Sequence, residues 1–273
     1  MERRDRFVSR RTAIDGVIAV EASSDRHLGR HMHDQFGIGL VLAGAQDSLS
    51  GRGEVQARAG DLITVNPGEV HDGRAVGGTV RQWRMLYLDP GPVARIARGF
   101  DLSPGTELQH PVLSRPDIAR AFLALHADLL RPGGVEDGAA IEGAMMAVLA
   151  PLFGVAAIHC GCEPAGIRHA RAAIDDDPAT PRSLGEMSRL AGLDRYRFLR
   201  TFKAATGLPP HAYRVQRQLQ MARRLIVSGM PVAPAAAEAG FADQAHLTRH
   251  FTRAYGIRPG ALAAAFRGAH RRA

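Results

Sequence analysis

Two kinds of hydrophobic pattern divide the chain. Between residues 36 and 88, short apolar or alternating runs (Gly37 to Leu42, Ala45 to Leu49, Glu54 to Arg58, Leu62 to Val65, Arg81 to Leu88) are separated by Gly51-Arg52-Gly53, Gly60-Asp61 and Asn66-Pro67-Gly68. Short strands at this spacing predict a small β-barrel or sandwich. Beyond them the period lengthens to that of amphipathic helices. Pro116 to Leu130 places Ile118, Phe122, Leu125 and Leu129 on one stripe, and Ile141 to Phe153 places Ile141, Met145, Val148 and Leu152 on another. Such stripes cover an end of the barrel or meet a second copy of the chain, and periodicity fits both.

Composition changes across residues 159–166, with Gly161, Pro164 and Gly166, and a linker is expected there. From Ile167 onward the pattern is helical, broken by Pro178, Pro181, Pro209, Pro210, Pro231 and Pro259. The expected organisation is two domains, 1–158 and 167–268.

The second domain repeats itself. Gly192-Leu193, eight residues, Phe202 and Gly207 recur as Gly240-Phe241, nine residues, Phe251 and Gly256. A short amphipathic helix precedes each glycine, with Leu184, Met187 and Leu190 in the first copy and Val232, Ala236 and Ala239 in the second. Ser183 and Glu186 have capping-box spacing. Each copy therefore reads as helix, turn, helix, over about 183–206 and 231–255.

Phasing at about 100° per residue points Phe198 and Phe202 inward and Tyr196, Arg200 and Lys203 outward; Ala245, Arg249 and Thr252 share the matching outward face. Asp194 and Asp243 stand where N-caps belong. Arg suits guanine, Gln244 suits adenine, and Leu199 or Ala245 can meet a thymine methyl. His211 to Ser228 forms a helix of roughly 27 Å between the copies, long enough to hold both second helices in successive major grooves.

Charge sharpens this division. Of 35 basic and 27 acidic residues, residues 1–163 hold 17 and 20 (net −3), and residues 164–273 hold 18 and 7 (net +11). A polyanion-binding half is implied. Two cysteines, Cys160 and Cys162, are too few for a disulfide framework, so a reducing cytoplasm is expected. No apolar run reaches the roughly 20 residues of a membrane span. Ser9-Arg10-Arg11 has the form of an export signal, but Asp15 and Glu21 interrupt the stretch after it, and export is not expected.

Over residues 164–267 the chain resembles the AraC/XylS-type bacterial transcription regulators. The resemblance rests on the two helix-turn-helix units, the joining helix, and the turns Gly207-Leu208-Pro209-Pro210 and Gly256-Ile257-Arg258-Pro259. It implies base- or phosphate-contacting roles for Tyr196, Leu199 and Arg200, and for Gln244, Ala245, His246, Thr248 and Arg249. The first half resembles the cupin-like barrel that many such regulators carry as an effector-binding domain, through His31-Met32-His33, Gly60-Asp61 and Pro67-Gly68-Glu69-Val70-His71.

In metal-binding cupins, two histidines of the first motif, a following Glu and a histidine of the second hold a divalent ion. Gly37 stands where that Glu is expected, so no cofactor is expected. His31, His33 and His71 either line an effector pocket, cap the barrel mouth, or bind zinc or iron with water completing the shell. Trp83, Met85 and Tyr87 alternate onto one strand face and can form a pocket wall, and Arg74 and Arg84 can pair with an anionic effector. The expected effector-binding set is His31, His33, His71, Arg74, Trp83 and Tyr87.

Together these features imply a cytoplasmic, homodimeric, non-enzymatic regulator. It binds double-stranded DNA and a small molecule; the resemblance implies an activator, and an activator implies RNA polymerase as a partner, while the residues themselves leave activation or repression open. The alternatives are a metal-dependent cupin enzyme fused to a DNA-binding module and an effector-independent dimeric DNA-binding protein.

Overall fold

The structure is a computed structural model that describes residues 5–98, 107–131, 138–154 and 163–266. It falls into two units, Met1–Ile158 and His159–Ala273. Cys160 and Cys162 lie outside the described residues.

The first unit begins with β1 (Arg6–Arg11), β2 (Val17–Ser24), β3 (Leu28–His31), β4 (Phe36–Ala43), β5 (Ala45–Ser50), β6 (Gly53–Arg58), β7 (Leu62–Val65), β8 (His71–Ala75) and β9 (Arg81–Leu88). It continues through α1 (Pro90–Arg98), β10 (Glu107–Leu108), β11 (Val112–Leu113), α2 (Pro116–Leu129), α3 (Gly138–Leu149) and β12 (Phe153–Gly154). One sheet runs β1-β2-β9-β4-β7-β11, a second runs β3-β8-β5-β6, and β10 pairs with β12.

The expected barrel or sandwich takes the form of two sheets. Pairing among the described residues ends at β1 and β11 on one sheet and at β3 and β6 on the other, so the β-structure is two sheets that do not close. The chain passes between them at Gly44, whose φ of +75° turns it within one residue between β4 and β5. Strands β1, β3 and β8 left little trace in the hydrophobic pattern because their faces are only partly buried and carry Arg, His and Gly.

Central strand β9 separates two apolar regions. Its even-numbered Leu86 and Leu88 join Val17, Ile38 and Leu40 in a core closed by Phe122, Leu125, Leu129, Met145 and Val148. The apolar stripes of α2 and α3 are thus spent inside their own chain, which decides between the two readings of their periodicity. The odd-numbered Trp83 and Met85 pack with Val41, Ala57 and Ile63 on the other face. Arg84 points to the helical side and pairs with Glu21 at 3.6 Å. Nearby, His126 of α2 is 1% exposed. Burial, reinforced by Arg84, pulls its pKa down to about 4.

The second unit is helical: α4 (Ala165–Asp176), α5 (Leu184–Leu190), α6 (Arg195–Thr206), α7 (Pro210–Val227), α8 (Val232–Glu238), α9 (Gln244–Tyr255) and α10 (Pro259–Phe266). Its caps are those the sequence requires. Ser183 and Glu186 exchange capping-box bonds at α5, and the Asp194 and Asp243 carboxylates accept from Arg197 N and His246 N. The turn glycines Gly192 and Gly240 have φ of +65° and +77°, and the helix-ending Gly207 and Gly256 have +76° and +73°. A side chain at either position would strain the backbone in both copies alike.

Phe198, Phe202, Leu247 and Phe251 are fully buried. Leu184 and Leu190 depart from expectation, at 38% and 48% exposed. On this two-turn helix, Met187, Ser188 and the following Ala191 take the inward positions instead. In α8 the neighbouring alanines Ala235 and Ala236 are both wholly buried.

Two stability outcomes are expected. Phe251→Ala removes a buried ring at the centre of the second unit and should cost about 3 to 5 kcal/mol, read by denaturant unfolding followed through helical circular dichroism. Parent-like melting would mean that α9 is wrongly phased. For His126 the folded pKa lies below the unfolded value of about 6.5, so the unfolded chain binds the extra proton. Stability is complete above pH 6.5 and falls by up to about 3 kcal/mol as pH drops toward 4. Trp83, the single tryptophan, reports this unit, and His126→Gln should flatten the decline; equal slopes in parent and variant would refute the assignment.

Candidate functional site

Each second helix of the repeat is held by its aromatic side, which fixes what the opposite side offers. On α6, Phe198 and Phe202 are buried, while Tyr196 is 85% exposed and Leu199, Arg200 and Lys203 are also exposed. On α9, Gln244, Ala245 and Arg249 are exposed. Two other predicted residues are partly engaged. The His246 ring packs 5.3 Å from Phe241 and 4.9 Å from His250, and the Thr248 hydroxyl donates to Gln244 O at 2.7 Å.

Between the repeats, α7 spans 18 residues, roughly 27 Å. Polar side chains tie it to its surroundings. Gln218 donates to Gly240 O at 3.1 Å. The Tyr213 hydroxyl donates to Asp175 at 2.8 Å, and Arg217 pairs with the same carboxylate at 2.8 Å. Burial and this carboxylate together raise the Tyr213 pKa, so the phenol keeps its proton. The platform beneath the two exposed faces is therefore both packed and hydrogen-bonded.

In the first unit, the two sheets line a half-open cavity of about 70 Å³. Its walls include His31, His71, Trp83, Met85 and Tyr87. His31 and His33 are 4% and 6% exposed. The candidate ligand atoms of His31, His33 and His71 lie within 4.8 Å of one another. His33 does not line the cavity itself; its ring lies 4.8 Å from that of Tyr87.

The Nδ1–H of His31 donates to Gly29 O at 2.7 Å and that of His71 to Glu69 O at 3.1 Å. A carbonyl only accepts, so each neutral ring carries its proton on Nδ1 and leaves Nε2 basic. Burial pulls the pKa of His31 down to about 3, helped by His71, and that of His71 to about 4.

Three such imidazoles suit zinc or iron, but no carboxylate joins them at position 37. A Cβ on Gly37 would lie 3.2 Å from Met85 Cε and 3.3 Å from Tyr87 Cε1. Tyr87 and Met85 occupy the room that a longer side chain would need. Arg74 is also not part of the cavity. It is 67% exposed, pairs with Asp47 at 3.3 Å and faces a separate polar groove with His27 and Arg30.

Among the cavity residues that the sequence reading did not name as candidates, Arg81 stands apart by its positive charge. Arg81 is only 1% exposed and lines the cavity in phase with Trp83, Met85 and Tyr87. The signal was available, since the same two-residue alternation stepped back from Trp83 reaches Arg81. An arginine at the start of a strand reads by default as solvated.

Comparisons with known proteins agree with this division. A model of the AraC-like ligand binding domain matches residues 16–149, and one of a helix-turn-helix domain matches residues 187–265. The uncharacterized HTH-type transcriptional regulator YbfI of Bacillus subtilis is 25% identical over 226 residues, 80% of this chain and 80% of its own length. The probable transcriptional regulator LumQ of Photobacterium leiognathi is 33% identical over 78 residues, 28% of this chain and 32% of its own.

Among solved structures, a variant of apo ToxT from Vibrio cholerae aligns with 94% of this chain and 100% of its own, with a TM-score of 0.60 and 9% identity. Wild-type ToxT bound to unsaturated fatty acid aligns with 95% of this chain and 98% of its own, with a TM-score of 0.58 and 8% identity. At those identities the likeness is one of fold. With a match to each of its two units, the chain is an AraC-type transcription regulator, with an N-terminal ligand-binding domain and a C-terminal helix-turn-helix DNA-binding domain.

Proposed function

We propose that this regulator binds double-stranded DNA sequence-specifically by inserting α6 and α9 into successive major grooves. The observation that carries the reading is the matched pair of helices. Each is anchored by buried aromatic or aliphatic residues and displays an exposed arginine, Arg200 or Arg249, on the opposite face. The net charge of +11 over residues 164–273 favours the polyanion. Arg200 and Arg249 read guanine edges, Gln244 an adenine, and Leu199 and Ala245 thymine methyls, while Tyr196, Lys203, His246 and Thr248 contact neighbouring bases or phosphates.

In the first unit, an effector held by His31, His71, Trp83 and Tyr87, with His33 behind them, shifts the population of DNA-competent protein. The protein acts as a cytoplasmic homodimer that recruits RNA polymerase, and it performs no chemistry of its own. Support for the compartment is its DNA ligand. Among the described residues, no helix is long and apolar enough to cross a membrane.

The histidine cluster favours a second reading, a metal-dependent enzyme joined to a DNA-binding module. Elemental analysis of untagged protein separates the two. Stoichiometric metal at His31, His33 and His71 supports the second reading, and protein without metal removes it.

Selection of bound DNA from a random pool should recover two conserved segments about one helical turn apart. Sequences without enrichment would overturn specific recognition. Arg200→Ala should then lose on the order of 1 to 3 kcal/mol on the selected site and relax preference at one position. A uniform loss on all DNA would make Arg200 a phosphate contact.

A further inference from the structure

Arg81 sits at a point where a charged side chain is costly. Two carbonyls, Gly73 O at 3.2 Å and Arg26 O at 3.3 Å, accept from its Nη2. Its Nε and Nη1 have no hydrogen-bond partner among the described residues. A guanidinium has five N–H donors, so three remain unspent on those two nitrogens. No carboxylate of the described residues forms an ion pair with it, and its Cζ lies 4.7 Å from the centroid of the Trp83 ring. Burial lowers its pKa only to about 10, which leaves it cationic at neutral pH. A buried cation without a counter-ion costs several kcal/mol unless something supplies the charge.

The wall also carries two carboxylates, Glu69 and Asp72, which accept from backbone N–H groups and not from Arg81. Asp72 accepts from Leu49 N at 2.7 Å. Glu69 accepts from Gly51 N at 3.1 Å and from Asn66 N at 3.0 Å. Leu28, Ile63, Val65, Met85 and Val112 give the wall an apolar part, and Gln46, Ser48, Ser50 and Thr64 add polar groups. What Arg81 lacks is an acceptor for its three remaining N–H groups, and beside it lies an apolar patch.

We propose that the cavity between the two sheets binds a small carboxylate, whose oxygens take the unspent N–H donors of Arg81 beside the Trp83 ring and whose short hydrocarbon tail lies against Met85 and Ile63. This inference rests on the reading that the first unit binds an effector, and it names the chemical class. Size sets the tail length. A dry cavity of about 150 Å³ accepts benzene, and a water takes about 30 Å³ of the liquid. At about 70 Å³, this cavity suits an acid of roughly three carbons.

The test uses the full chain and the fluorescence of Trp83, its single tryptophan, with thermal unfolding as a parallel readout. Sodium propionate is compared with its neutral isostere propionamide, and with sodium chloride at the same ionic strength. Propionate should give a saturable change in Trp83 emission and a rise in melting temperature, and the other two should give neither. Arg81→Gln should weaken propionate about tenfold or more, the worth of a charge-assisted hydrogen bond.

Equal responses to propionate and propionamide would overturn the carboxylate class and leave an effector cavity in place. No response to either, from protein that still selects DNA, would overturn the proposal without touching DNA recognition. An undiminished propionate response in folded Arg81→Gln would overturn it as well. If that variant does not fold, the contrast between propionate and propionamide in the parent decides.

Discussion

Strand β9 is buried on both faces, and the first unit is organised around that constraint. Side chains of a strand alternate by geometry. Once Leu86 and Leu88 are committed to the helical core, Arg81, Trp83, Met85 and Tyr87 must face the opposite sheet. The flanking strands keep the same division of sides. Ile38 and Leu40 of β4 enter the helical core, while Gly37 and Gly39 fall on the cavity side. A Cβ at Gly39 would overlap Met85 Sδ at 2.0 Å. The glycines of β4 thus make space for the large residues of β9, and the cavity is the space that those residues leave unfilled.

The same logic, at helical period, governs the second unit. Phe198 with Phe202, and Leu247 with Phe251, lock the rotation of α6 and α9, so the outward residues are determined by what is inward. Between them, α7 packs against both repeats. Its glutamines Gln216, Gln218 and Gln220 are buried, an arrangement that requires specific partners. Gln218 finds one in Gly240 O. At Gly240 a Cβ would also lie 2.6 Å from Ala179 O, so this turn glycine answers to a close approach of backbone as well as to its own conformation. The hydrophobic contacts set the helices' phases, and the polar contacts fix α7 against the turn of the second repeat.

Departure from the metal-binding pattern has a physical explanation in the same terms. Position 37 lies on the face of β4 that packs against Met85 and Tyr87. A side chain at 37 competes with them for volume. His31 and His71 are left neutral by burial, with their Nδ1 protons held by Gly29 O and Glu69 O. Arg81 is the cation on the cavity wall, and the wall's carboxylates, Glu69 and Asp72, form no ion pair with it. Its unspent N–H donors therefore favour a ligand that brings an acceptor.

By itself the sequence determined most of the DNA-binding half. Its repeat, N-caps, turn glycines and exposed helix faces are all local, set by residues within a few turns of one another, and helical periodicity displays them directly. It also determined β4 to β7 and β9, whose apolar runs are the most buried or have clear turns beside them. Tertiary structure decided the rest. Whether the stripes of α2 and α3 faced a sheet or a second chain depended on partners distant in sequence, and so did the openness of the β-structure, because closure depends on edge pairing that leaves no mark in any one strand. The cavity of the first unit was only half legible. His31, His71, Trp83 and Tyr87 stood out by type, whereas Arg74 and Arg81 are chemically identical and only the fold sent one to solvent beside Asp47 and the other into the cavity.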